Sequence, residues 1–85
     1  MYKIEITKHA LKEILSLPTK TSKLISKTIE NLASNPRPQG CKKLKGEKEY
    51  LWRVRVGDYR VIYDIQDKVE IIEIRKVGHR KHIYE

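Results

Sequence analysis

Residues 53–63 have the sequence Arg-Val-Arg-Val-Gly-Asp-Tyr-Arg-Val-Ile-Tyr, and this stretch decides the fold. Apolar and polar residues alternate on both sides of Gly57-Asp58, with the period of a half-buried β-strand. Gly-Asp between two such runs is typical of a two-residue hairpin turn. The sequence therefore predicts a β-hairpin at this point.

A two-residue loop fixes the register of the hairpin, since Val56 then pairs with Tyr59 and the pairing continues outward from there. We expect one apolar face, directed at the core, and one face that carries arginines. The apolar face consists of Trp52, Val54, Val56, Tyr59, Val61 and Tyr63. The opposite face carries Arg53, Arg55 and Arg60.

In this register Arg55 lies directly across from Arg60, and like charges in that position destabilise an antiparallel pair by about 0.2 to 1 kcal/mol. One interpretation is that the long side chains extend into water and keep the protein soluble. The other is a phosphate site, because guanidinium groups form planar, bidentate hydrogen bonds with phosphate and keep their charge. We favour the phosphate site.

Length and charge limit the class of protein. We expect one domain spanning residues 1–85, because 85 residues with 39% hydrophobic content suffice for one modest core. The net charge of +8 favours an acidic partner, which includes nucleic acid, an acidic protein or an anionic membrane. No apolar run approaches the roughly 18 residues of a membrane span, and no signal peptide pattern is present, so we expect a soluble cytoplasmic protein without a membrane partner.

Cysteine usage gives no sign of a metal site. The single cysteine, Cys41, has no second thiol to pair with and lies beside lysines that could make it a reactive thiolate. We interpret it as structurally incidental and expect no metal and no organic cofactor.

Two helices are predicted after an opening strand at residues 2–7. Thr7 is a suitable N-cap for a first helix that ends before Pro18, with Ala10, Leu11, Ile14 and Leu15 on one side. A second helix is predicted from about Thr21 to Ser34. Its expected buried residues are Leu24, Ile25, Thr28, Ile29, Leu32 and Ala33.

A basic loop is predicted at residues 35–48, where prolines, glycines and lysines concentrate. A further strand is predicted from Val69 to Val77, with Glu73 as a possible positioning carboxylate beside Arg60. Residues 78–85 follow and contain His79, Arg80, His82 and Tyr84 within a short distance. A fraying basic tail is one interpretation, but imidazole and phenol groups beside arginines are typical of single-stranded nucleic acid recognition and proton transfer.

These elements together resemble the RelE/ParE toxin superfamily, on its RelE side. The resemblance covers nearly the whole chain, in family order. It is carried by Lys43-Leu44-Lys45-Gly46, Tyr50-Leu51-Trp52-Arg53-Val54-Arg55, Gly57-Asp58-Tyr59-Arg60-Val61-Ile62-Tyr63 and Val77-Gly78-His79-Arg80 with Tyr84.

The resemblance implies an α+β fold with an N-terminal strand, a helical hairpin and then an antiparallel sheet, similar to microbial ribonucleases. It also implies the toxin of a type II toxin-antitoxin system, held in check by a cognate antitoxin protein. RelE-like toxins enter the ribosomal A site and cut messenger RNA by attack of a ribose 2′-hydroxyl on the adjacent phosphate. The ribosome and mRNA would then be the other partners.

Site residues follow from matching positions. Arg60 matches the family's arginine at the scissile phosphate, Arg80 the arginine that stabilises charge or protonates the leaving oxygen, and Tyr84 the terminal tyrosine. The expected catalytic residues are Arg60, Arg80, Tyr84, Arg55 and His82, and the expected RNA-binding residues are Lys45, Arg53, Lys43 and His79. We expect Arg60, Arg80 and Tyr84 to be surface groups.

The general base stays open. The best-known RelE has lysines at the positions of Arg53 and Arg55, and arginine is a poor base because its pKa exceeds about 12. His82, His79 or Tyr84 could take that role, and His82 has the better case because some relatives end in a histidine close to a terminal tyrosine.

Two other functions stay open as well. The ParE branch inhibits DNA gyrase and cuts no RNA, although Gly78-His79-Arg80 followed by Tyr84 argues against it. The second alternative is a degenerate toxin or RNA-binding domain that binds without cutting. A face on which Arg53, Arg55, Arg60 and Arg80 are grouped offers a site to an acidic or amphipathic segment of an antitoxin, and a disordered partner could fold as it docks.

Overall fold

The computed structural model describes residues 1–44 and 51–83, which contain two helices and five strands. The elements are β1 (Lys3–Ile6), α1 (Lys8–Leu15), α2 (Thr19–Leu32), β2 (Lys42–Lys43), β3 (Leu51–Val56), β4 (Tyr59–Gln66) and β5 (Ile71–His79). The predicted α+β fold is confirmed. The prediction of Lys45 and Tyr84 as site residues falls outside the described ranges.

One five-stranded sheet runs in the order β1-β5-β4-β3-β2. Strands β2, β3, β4 and β5 pair antiparallel, as predicted, whereas β1 pairs parallel to β5 and makes the sheet mixed. Strand β5 therefore lies between β1 and the hairpin of β3 and β4.

The hairpin of β3 and β4 has the predicted register. Val56 pairs with Tyr59, Arg55 with Arg60, and the pairing continues to Leu51 and Asp64. Gly57 has a φ of +60°, a left-handed conformation that glycine adopts without a steric penalty. The two-residue turn and the face assignment that depends on it are thus confirmed.

The core lies between one face of the sheet and the two helices. Its buried cluster consists of Ala10, Ile14, Ile25, Ile29, Leu32, Val54, Val61, Tyr63, Ile72, Ile74 and Val77, with Trp52, Val56 and Tyr59 packed against it. Thr7 caps α1 as predicted, because its Oγ1 accepts a hydrogen bond from the Ala10 amide at 3.1 Å.

The helices differ from the prediction in two respects. Helix α2 begins at Thr19 and ends at Leu32, two residues earlier at both ends than predicted. Leu24 is 54% exposed, so its prediction as a core residue is wrong. Leu11 and Leu15 share the apolar side of α1 but stay exposed, because they lie beside an open groove next to β1 and α2.

Strand β5 contains a bulge. Ile62 pairs with Lys76 and Tyr63 with Ile74, so Arg75 is the extra residue of β5. Glu73 pairs with Asp64, and Arg60 with Gly78. The prediction of Glu73 beside Arg60 is therefore wrong, because the two lie in different rows of the sheet.

Two segments are more ordered than their composition predicts. Lys42 and Lys43 form a short edge strand on β3 within the predicted loop. After β5 the chain turns, since the amides of His82 and Ile83 both donate to the His79 carbonyl oxygen, at 2.9 and 3.0 Å. Ile83 is 2% exposed, so the chain as far as residue 83 is packed rather than frayed.

Within the described ranges, no helix is long and apolar enough to cross a membrane.

Candidate functional site

The face of the sheet turned away from the helices carries two rows of cationic side chains. Residues paired across a sheet share a face, so Arg55, Arg60 and Gly78 form one row. The neighbouring row consists of Lys42, Arg53, Ile62 and Lys76. We call these two rows the arginine face. The structure brings Arg53, Arg55 and Arg60 together on it, as predicted.

Lys42 and Lys76 are members of the arginine face that sequence reasoning missed. Lys42 requires β2, which lies in a segment predicted as a loop. Lys76 requires the bulge, because strict alternation from Ile72 and Ile74 would direct residue 76 to the core. Neither lysine could be assigned to this face from the alternation of residue types alone.

Arg60 is the buried arginine of this face. It is 5% exposed, and its Nη1 donates hydrogen bonds to the carbonyl oxygens of Gly57 at 3.2 Å and Tyr59 at 3.0 Å. The prediction that Arg60 is a surface group is therefore wrong. Its guanidinium turns back onto the hairpin turn, whose carbonyl oxygens help to offset the cost of burying a charge.

Arg80 approaches the same turn from β5. Its amide donates to the Asp58 carbonyl oxygen at 2.8 Å, and its Nε lies 3.8 Å from Asp58 Oδ1. The side chain is 56% exposed, as predicted for a surface group. Arg60 and Arg80 thus both contact the Gly57-Asp58 turn, although they lie twenty positions apart in the sequence.

His79 and His82 form a separate cluster at the same end of the sheet. His79 pairs with Tyr59, so it lies on the face opposite Arg60, and the two rings make an edge contact at 5.4 Å. The ring of His82 is 6.2 Å from that of His79. The Lys81 amide donates to His79 Nδ1 at 3.1 Å, which leaves the proton of a neutral ring on Nε2.

Lys43 and His79 do not share the arginine face. Lys43 pairs with Trp52, whereas its neighbour Lys42 pairs with Arg53. The expected RNA-binding set is therefore divided between the two faces, because the side chains of successive strand residues alternate. His79 lies close to the Gly57-Asp58 turn, because it pairs with Tyr59. Lys43 lies in β2, at the edge of the sheet.

A second group of contacts, centred on Arg37, lies at the opposite end of the sheet. Arg37 Nη2 and Nη1 donate to the two carboxylate oxygens of Asp67, at 2.8 and 3.4 Å, and the Tyr2 hydroxyl donates to Asp67 Oδ1 at 2.6 Å. The guanidinium of Arg37 also lies 5.1 Å from the Trp52 ring. We call these four residues the Arg37 cluster.

Hydrogen bonding within the Arg37 cluster shifts three pKa values. The hydrogen bond from Arg37, followed by that from Tyr2, lowers the pKa of the Asp67 carboxyl below its ordinary value. The same bonds to Asp67 raise the pKa of Arg37 and of Tyr2. Burial raises the pKa of Tyr63 nearby, whose hydroxyl donates to the Pro36 carbonyl oxygen at 2.8 Å.

The described part of the site can bind a phosphodiester and stabilise charge on it. Guanidinium groups on β3, β4 and the turn after β5 supply fixed positive charge, and the nearby imidazoles can accept or donate a proton. Among the described residues, no group of three or more His, Cys, Asp or Glu side chains could hold a metal ion.

A small α+β domain with an arginine-bearing mixed sheet agrees with the family resemblance of the sequence. Residues 4–84 match the family model described as the ParE toxin of the type II toxin-antitoxin system parDE. The chain therefore belongs to the RelE/ParE superfamily of toxins from type II toxin-antitoxin systems.

Individual relatives carry the RelE name. The candidate toxin RelE1 of Methanocaldococcus jannaschii is 38% identical over 86 residues, which cover 98% of this chain and 94% of the relative. Toxin RelE of Mycobacterium tuberculosis is 33% identical over 84 residues, with 98% and 86% coverage. The archaeal RelE–RelB complex from Pyrococcus horikoshii contains a chain of 33% identity and TM-score 0.82, with 95% and 97% coverage.

Proposed function

We propose that this toxin cleaves messenger RNA in the ribosomal A site, by attack of a ribose 2′-hydroxyl on the adjacent phosphate. One observation carries the proposal: Arg60 and Arg80 converge on the Gly57-Asp58 turn, with Arg55 directly across from Arg60. Two like charges in a cross-strand pair destabilise the sheet. A polyanionic ligand that lies between or over Arg55 and Arg60 explains why both are present.

Each arginine has a role that suits its position. Arg55, which is exposed, contacts a nonbridging oxygen of the scissile phosphate. Arg60 lies directly across the hairpin and adds a second positive charge beside Arg55. Contact of Arg60 Nη1 with the phosphate requires that phosphate oxygens replace the carbonyl oxygens of Gly57 and Tyr59. Arg80, which is more than half exposed beside Asp58, stabilises the charge that develops on the departing 5′-oxygen.

Proton transfer falls to the segment after β5. His82 is exposed and lies next to His79 in the histidine cluster, so it is our candidate for the base that activates the 2′-hydroxyl. Tyr84 is the alternative, two residues further along. Arg53 on β3 and the lysines of the arginine face bind the neighbouring phosphates of the message. This mechanism assigns no step to a metal or an organic cofactor.

A cognate antitoxin is the proposed protein partner. The archaeal relative of known structure is in complex with RelB, and this chain has a net charge of +8. An acidic, disordered segment that folds on the arginine face would neutralise that charge and exclude RNA. We expect a tight complex on coexpression, and recovery of an inert monomer beside its neighbouring gene product would contradict this.

The decisive experiment is induction of this chain in bacteria, with mapping of mRNA 5′ ends while translation is running or blocked. We expect cuts within translated frames that disappear when translation is blocked and in Arg80→Ala. Lys23→Ala is the matched control, since it removes one exposed cation from α2, in the helical layer on the other side of the sheet. Cuts that persist in Arg80→Ala, or that persist without translation, would contradict the proposal.

A ParE-type activity is the second candidate, and the ParE name of the matching family model supports it. In that case induction would produce DNA breaks and filamentation while messages stay intact. A third outcome, association with purified ribosomes without cleavage, would indicate a binding domain or a degenerate toxin. The proposed ribosomal activity would take place in the cytoplasm, where we expect the protein to work.

A further inference from the structure

We infer that Glu13 of α1 is a positioning residue for the segment that carries Gly78, His79 and Arg80. This inference rests on the proposed function for its catalytic consequence. It begins from an edge of β5 that no described strand covers. Strand β1 pairs with β5 only as far as Ile74, and β5 continues to His79.

Beyond Ile74, α1 and its cap take over from β1. The Thr7 amide donates to the Ile74 carbonyl oxygen at 3.1 Å, and Thr7 Oγ1 donates to the Arg75 carbonyl oxygen at 3.4 Å. The Val77 amide then donates to Glu13 Oε1 at 2.9 Å. The Glu13 side chain therefore provides a hydrogen-bond acceptor for the edge of β5 beyond the end of β1.

Glu13 is well suited to this task. Its side chain is 24% exposed, and a hydrogen bond from an amide to a carboxylate is stronger than one to a neutral acceptor. His9 Nε2 lies 3.4 Å from the same Oε1, one helical turn earlier. The carboxylate thus has a neighbour on its own helix while it accepts a hydrogen bond from β5.

The residues just after Val77 are those that the proposed reaction needs. Gly78 pairs with Arg60, and the Arg80 amide is bonded to Asp58 on the other side of β5. The end of β5 is consequently held from two sides, by the hairpin turn and by Glu13. Loss of one anchor displaces the segment, and a misplacement of about 1 Å can cost about 100-fold in rate.

The close packing at Gly78 leaves little room for the segment after Val77 to move. A Cβ on Gly78 would lie 3.2 Å from Ile83 Cδ1 and 3.9 Å from Glu13 Oε2. The segment after β5 therefore folds back closely onto the strand beside the Glu13 carboxylate. Glu13 thus lies next to both the strand and the turn that carries His82.

Three substitutions separate the reach of the acceptor from its charge. Glu13→Gln keeps an acceptor oxygen at the same reach and loses the charge. Glu13→Asp keeps the charge but withdraws the acceptor by about 1.5 Å, and Glu13→Ala loses both. Glu30→Ala is the matched control, because it removes an exposed carboxylate from α2 with the same change in net charge.

We expect single-turnover cleavage on programmed ribosomes to slow at least 10-fold in Glu13→Ala and Glu13→Asp, with little change in KM. Glu13→Gln and Glu30→Ala should cleave within about threefold of the unsubstituted protein. Equal loss in Glu13→Gln and Glu13→Ala, or an unchanged rate in Glu13→Asp, would overturn the positioning role.

Amide hydrogen exchange of the free protein tests the same contact without RNA. The Val77 amide should exchange faster in Glu13→Asp and Glu13→Ala, and amides of the central strand β4 should not. Unchanged protection of Val77 would overturn the inference even if cleavage is lost. If the unsubstituted protein cleaves no RNA while Val77 responds as expected, the proposed function fails and the anchoring by Glu13 stands.

Discussion

The two ends of the sheet use the same side chain in opposite ways. In the Arg37 cluster a guanidinium is paired with both oxygens of Asp67 and lies near Trp52. At the Gly57-Asp58 end, Arg53 and Arg55 form no ion pair within the described residues, and the carboxylate of Asp58 is 3.8 Å from Arg80. Arginine at one end ties a loop to the sheet, and at the other it leaves positive charge for a ligand.

Arg60→Ala should have the largest effect, because Arg60 combines both roles. Loss of its bonds to two carbonyl oxygens should destabilise the protein by about 2 kcal/mol, and cleavage should fall by about 100-fold or more. Urea unfolding and single-turnover cleavage measure the two effects. Arg60→Lys keeps the charge without the planar fork, so full activity in that variant would refute a specific role for the guanidinium.

Arg55→Thr should separate function from stability. The exposed side chain stabilises nothing that the structure describes, and its removal relieves the like-charge pair with Arg60. We expect unfolding to become about 0.2 to 1 kcal/mol less favourable, while cleavage falls at least 10-fold. Thr suits a strand, and Arg55→Lys is the charge-conserving control. A destabilised Arg55→Thr protein would show that Arg55 is structural after all.

Arg37→Ala should show the reverse behaviour. The variant loses a half-exposed ion pair and the cation–π contact with Trp52, so we expect a destabilisation of about 1 kcal/mol. Cleavage at saturating ribosomes should be unchanged, because the Arg37 cluster lies at the far end of the sheet. A large loss of activity in a folded Arg37→Ala protein would erase the proposed distinction between the two ends.

Acid should weaken the Arg37 cluster by protonating Asp67. Asp67 has a lowered pKa in the folded protein, so its contribution to stability is complete above the ordinary carboxyl pKa and is lost as the pH falls through the lowered one. Urea midpoints between pH 7 and pH 2 should therefore decline less in Asp67→Asn than in the unsubstituted protein. Parallel declines would contradict this.

The hairpin shows how far sequence alone can go. Alternation and a Gly-Asp turn are local signals, and together they predict the register of β3 and β4 and the face that each arginine occupies. The N-cap at Thr7 is equally local. Contacts within a few residues of one another thus account for most of what the sequence predicts correctly.

The errors arise where the alternation of residue types does not determine the structure. The burial of Arg60 depends on the path of its side chain over the turn, and the bulge at Arg75 changes the alternation of β5. Leu24 has the helical spacing of a core residue but is 54% exposed. None of these can be derived from periodicity, because they depend on side-chain conformation and on how the elements pack.

The parallel pairing of β1 with β5 has a consequence for synthesis of the toxin. Residues 3–6 have no strand to join until residues 71–79 have left the ribosome, since β5 separates β1 from the hairpin. The hairpin itself lacks the neighbour that brings Arg80 to its turn. The sheet that carries the arginine face is therefore complete only when nearly the whole domain has been translated.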